Sequence, residues 1–127
     1  MTQYLGSEYN MDIYGSILNT VKIGIGYEPD YTPFDFELIL YINSVLRTLN
    51  QFGVGENRFS VTSDKETWVD FLGTNVGADK FSEVQTYTIL KVKLMHDPPS
   101  NSFLIDSINK NILELEWRMN ADAEFYI

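Results

Sequence analysis

Two consecutive prolines, Pro98 and Pro99, constrain the fold of this chain more than any other residues in it. A proline removes a backbone donor and its ring clashes with the preceding turn, and the residue before it is pushed out of the helical region. On both sides of the pair the sequence has helical periodicity. The stretch before it runs from Lys80 to Met95 and the stretch after it from about Ser102 to Met119, with His96-Asp97-Pro98-Pro99 as the stop. The pattern predicts two helices folded into a hairpin, with the prolines setting the angle between them.

The first of these helices has apolar positions nearly all round, at Phe81, Val84, Tyr87, Ile89, Leu90, Val92, Leu94 and Met95. Only a central helix buries that much surface. Lys91 and Lys93 suit its negative end and can snorkel outward. The second helix places Ile105, Ile108, Ile112, Leu115 and Met119 at alternating spacings of three and four, with Lys110, Glu114 and Arg118 on another face. Residues 120–127 form a tail that ends in Phe125-Tyr126-Ile127. Packing back on the domain and docking on a partner both account for that apolar end.

Upstream, Met11, Tyr14, Leu18, Val21 and Ile25 predict a helix from about Asp12 to Lys22, closed by Gly24 and Gly26. Gly15 weakens it by about 1 kcal/mol relative to alanine. After the connector Tyr27-Glu28-Pro29-Asp30-Tyr31, the run Thr32-Pro33-Phe34-Asp35 is a strong helix start, with Thr32 as cap and Pro33 at the first position. Leu38, Ile42, Val45, Leu49 and Phe52 carry that helix to Gly53, and Ile39 and Leu46 widen its stripe. Phe59-Ser60-Val61 reads as a short extended piece, and Ser63 and Glu66 have capping-box spacing before a short helix with Trp68, Val69, Phe71 and Leu72. The expected fold class is therefore all-α: a compact bundle of four to five helices with a central apolar helix, a C-terminal helical hairpin and extended terminal arms. Residues 1–10 are the N-terminal arm, 11–119 the helical domain and 120–127 the tail.

Chemistry is sparsely signalled. The chain has no cysteine, which excludes disulfides and thiolate chemistry. Its one histidine, His96, stands beside Asp97, a pairing that suits a base and its orienting group, but no serine or cysteine nucleophile is indicated and a helix end followed by a turn is the simpler reading. A metal site would have to rely on carboxylates, and Glu114 and Glu116 point to different helix faces. Gly24-Ile25-Gly26 and Gly53-Val54-Gly55 lack the strand and the lysine-serine ending of phosphate loops. Trp68 and Trp117 are expected as core or interface anchors. No catalytic, cofactor or metal site is expected.

The net charge of −9 opposes a surface that grips nucleic acid, which needs basic residues to neutralise phosphates. It is compatible with a passage through which DNA slides without being held. There is no basic leader followed by an apolar run and no apolar stretch of spanning length, so a soluble intracellular protein without membrane contact is expected.

Several short runs, in this order and spacing, resemble the small helical head–tail connector (adaptor) proteins of tailed bacteriophages. They are Phe34-Asp35, Ile42-Asn43-Ser44-Val45, Leu49-Asn50-Gln51-Phe52-Gly53-Val54-Gly55, Thr67-Trp68-Val69-Asp70-Phe71-Leu72, Leu90-Lys91-Val92-Lys93-Leu94 with Asp97-Pro98-Pro99, and Glu114-Leu115-Glu116-Trp117-Arg118. The resemblance covers about residues 12–120; at His96 the family more often has phenylalanine. It implies a structural, non-enzymatic role in the virion neck, in a protein made in the host cytoplasm. Such adaptors form a homo-oligomeric ring, usually of twelve copies, under the portal protein. They extend the channel for double-stranded DNA and present a surface to the next neck, stopper or tail protein. By the same analogy, portal binding falls to the C-terminal segment, here Arg118, Met119, Phe125, Tyr126 and Ile127, with Asp97, Pro98 and Pro99 as the corner that aims it.

A second class fits a small acidic phage protein: a DNA-mimic inhibitor, or a packaging accessory. A mimic needs rows of carboxylates spaced like phosphates, whereas the acids here are scattered among apolar stripes.

Overall fold

The computed structural model describes residues 12–125. Ser16 starts the first helix, its Oγ accepting the N–H of Asn19 at 3.1 Å, which satisfies a donor that every helix start leaves open. Helix α1 runs Ile17–Ile25 and closes at Gly26, whose N–H returns to the carbonyls of Lys22 and Ile23. The helix expected over Asp12 to Lys22 is therefore displaced toward the C-terminus. The cause is a competing use of the backbone: the carbonyls of Ile13 and Gly15 accept from Val69 and Trp68, and Ser16 bridges Thr67. Gly24, expected as a stop, lies inside α1. A Cβ there would stand 2.7 Å from Cδ1 of Ile89, so the missing side chain lets two helices touch.

Helix α2 spans Asp35–Gln51 and buries Leu38, Ile42, Val45, Leu46 and Leu49, the expected stripe. Thr32 does not cap it through its side chain; Phe34 holds the cap position and the Thr32 carbonyl accepts the N–H of Asp35. The 59–61 piece forms no strand. Asn43 of α2 holds it instead, its side-chain amide exchanging both bonds with the backbone of Val61 at 2.9 and 2.7 Å. Ser63 donates from its N–H and its hydroxyl to the Glu66 carboxylate, but its hydroxyl accepts from Lys65 rather than Glu66, so the pair makes a turn and not a capping box. The short helix α3, Trp68–Leu72, is capped four residues later by Thr67 and Asp70.

Helices α4, Ala78–His96, and α5, Ser102–Phe125, form the expected hairpin. The N–H of Asp97 returns to Lys93 and ends α4 ahead of the two prolines. Helix α5 does not stop at Met119 but continues through residues expected as tail. Nothing in Asn120-Ala121-Asp122-Ala123-Glu124 breaks a helix, and alanine and glutamate favour one. The arm expected at 1–10 lies outside the described residues, as do Tyr126 and Ile127.

Helix α4 is the central element, packing against α1, α2 and α5. The core gathers Ile17, Val21, Trp68, Phe81, Val84, Tyr87, Val92 and Met119, with Trp68 donating from Nε1 to Thr20 Oγ1 at 3.2 Å. Each such side chain contributes on the order of 1.5–3 kcal/mol through burial. Among the described residues there is no strand, and the all-α bundle of five helices matches the expected class.

Candidate functional site

The C-terminal hairpin and the helix starts that brace it carry the features of interest. At the end of α4, the ring of His96 is almost wholly buried and both its nitrogens are engaged. Nδ1 lies 2.6 Å from Glu37 Oε2 and Nε2 lies 2.9 Å from the Tyr27 hydroxyl. A carboxylate only accepts, so the Nδ1 proton points to Glu37. Phe34 packs edge-on against the same ring, 4.9 Å between centroids. His96 ends its helix, as the simpler reading has it, and its partners are Glu37 and Tyr27 rather than Asp97, a clamp that ties the end of α4 to the start of α2. A phenylalanine in this place would keep the ring contacts and lose both polar bonds. Burial raises the Tyr27 hydroxyl above its ordinary value, helped by the negative charge of Asp97 and the neighbouring Tyr31 and Glu37.

A second tie lies beside it. Lys22, only 1% exposed, places its ammonium 2.8 Å from Asp35 Oδ1 and donates to the Pro29 carbonyl at 2.8 Å. Together the two ties fix the connector between α1 and α2 and the base of the hairpin. Sequence periodicity signals neither, because a polar residue on an apolar face announces no partner tens of residues away.

On α5 the two glutamates separate as expected. Glu114 is exposed and pairs with Arg118 at 2.8 Å. Glu116 turns inward and accepts the Tyr87 hydroxyl at 2.8 Å, joining α5 to α4. Burial first, and then this carboxylate, push the Tyr87 hydroxyl well above its usual value. Arg118 also reaches Glu83 at 3.8 Å. Of the residues assigned to portal binding, Met119 is in the core, Arg118 is held in these ion pairs, Phe125 ends α5, and Tyr126 and Ile127 lie outside the described residues. At the corner, Asp97 and Pro98 are exposed and Pro99 is half-buried.

The two tryptophans divide. Trp68 is buried completely, whereas Trp117 is 71% exposed on the outer face of α5. Phe103 and Leu113 lie on that outer face too, while Phe36 and Leu40 are exposed on α2. Among the described residues no cluster of acidic, histidine or cysteine side chains is arranged to hold a metal ion, and no helix is long and apolar enough to cross a membrane.

A family model described as "Phage connector protein" matches residues 17–125. No curated protein and no solved structure matches the chain.

Proposed function

The chain belongs to the phage connector protein family, and from that premise we propose that it is a ring-forming adaptor of the virion neck, seated under the portal. The family is one of structural proteins, with its place at the head–tail junction of the virion. The family match over nearly all of the described helices is the observation that carries the reading.

In this reading copies of the chain assemble head to tail into a closed ring of twelve, and double-stranded DNA passes through the lumen without being gripped. A net charge of −9 supports passage rather than binding, since carboxylates repel phosphates. The portal takes the C-terminal end of α5 with Phe125, Tyr126 and Ile127. The opposite end of the ring receives the next neck, stopper or tail protein. Arg118 supports the portal-facing segment from within, through Glu114 and Glu83, and Met119 anchors it in the core. The corner at Asp97-Pro98-Pro99 sets the direction in which α5 leaves the bundle.

Labelling this chain in purified virions tests the reading. Label at the head–tail junction is expected; virions that lack the chain there would overturn it.

A further inference from the structure

Helices α2 and α5 each turn a second apolar stripe away from the core. On α2, Phe36 is 76% and Leu40 54% exposed. On α5, Leu113 is 65% and Trp117 71% exposed. Both stripes stand opposite their helix's buried face, since Leu38, Ile42, Val45 and Leu49 of α2, and Ile112, Leu115 and Met119 of α5, point into the bundle. The α2 stripe also carries one exposed charge, Arg47, and the α5 stripe two, Asp106 and Lys110, and none of the three makes an ion pair among the described residues.

The spacings of the two stripes are mirror images. From Phe36 to Leu40 is four residues, and from Leu40 to Arg47 seven. From Trp117 back to Leu113 is four, and from Leu113 back to Asp106 seven. At 1.5 Å per residue both stripes are about 16 Å long, and each keeps to a narrow sector of its helix. Laid antiparallel, they set Phe36 on Trp117, Leu40 on Leu113 and Arg47 on Asp106. Lys110, the other charge of the α5 stripe, then lies opposite Asn43, whose amide is already held by Val61 of its own chain.

We infer that the outer face of α2 on one copy of this chain packs antiparallel on the outer face of α5 of the next copy, in this register. The contact joins two different surfaces, so it is head-to-tail and its repetition closes a ring or runs on. Apolar pairs supply its centre, and the Arg47–Asp106 pair fixes direction and register more than affinity. The inference rests on the ring reading above and specifies which surfaces form the ring.

The absence of cysteine permits a clean test. Assembly with and without the portal protein is first read by native mass. Tagged Leu40→Cys chains are then mixed with untagged Leu113→Cys chains and oxidised in the assembly. The expected result is a disulfide between the two kinds of chain, and none within either kind alone. Separately, Arg47→Asp should weaken assembly and lower the yield of the mixed disulfide with helix content unchanged, and the double variant Arg47→Asp, Asp106→Arg should restore both. A ring that forms without the mixed disulfide and ignores Arg47→Asp would overturn the inference and leave the ring reading intact. A chain that stays monomeric even with the portal would overturn both.

Discussion

Lys22 is the clearest case of a residue whose role is set by what surrounds it. An ammonium closed off from water is tolerated only when a counter-charge and further acceptors meet it, and here Asp35 and the Pro29 carbonyl do so. Removing one partner of such a pair is costlier than the pair is stabilising. Lys22→Ala should therefore destabilise the fold by about 3 kcal/mol, the lower end of the buried-pair range because Asp35 keeps some solvent; urea denaturation measures it. Gly55 is constrained differently. Its φ of +82° is a left-handed conformation, and a Cβ would collide with Cζ and both Cε atoms at the edge of the Phe71 ring. Gly55→Ala combines backbone strain of about 1–2 kcal/mol with overpacking of about 1–3 kcal/mol, a drop that thermal melting would register. Tyr87 supplies a pH signature. Its hydroxyl ionises less readily folded than unfolded because of burial and the Glu116 carboxylate. A raised folded pKa gives stability that is complete below the ordinary tyrosine range and is lost as pH rises beyond it. Stability should fall above about pH 10, and Tyr87→Phe should flatten that fall while weakening the α4–α5 contact at neutral pH.

At the scale of elements, the hairpin was the most legible part of the chain and its ends the least. Two prolines and two unbroken apolar stripes specify α4, the corner and most of α5, because those signals are local and covalent. The start of α1 was misplaced because Ile13 and Gly15 give their carbonyls to α3, a partnership formed across more than fifty residues. Ser63 and Glu66 bond in one direction only and start no helix, since Thr67 and Asp70 form the complete box beside the buried Trp68. The polar ties of His96 and Lys22 were hidden for the same reason: their partners come together only when the bundle closes. The outer stripes of α2 and α5 were in the sequence as excess apolar residues, but only the structure separates them from the core faces. The corner itself carries a prediction. Replacing Pro98 and Pro99 with alanine should impair portal docking more than folding, because the clamp of His96 on Glu37 and Tyr27 and the α4–α5 core remain. Melting and co-sedimentation with portal separate the two effects; outright unfolding, or unchanged docking, would contradict it.

At the scale of the molecule, a central helix with neighbours on three sides leaves the outward faces of α2 and α5 free for other chains. A small domain with that much exposed aromatic and aliphatic surface is built to be covered. Membership of the phage connector family places the chain at the head–tail junction, and in the proposed ring the mirror-image stripes join copies. In the proposed ring, the net negative charge suits a passage that lets DNA leave as readily as it enters. The most direct measurement of the ring-adaptor role is the native mass of the complex formed with the portal protein. A portal carrying a full ring of this chain, with none bound as isolated copies, is the predicted result. A portal that binds no chain, or a chain that remains monomeric in its presence, would contradict it.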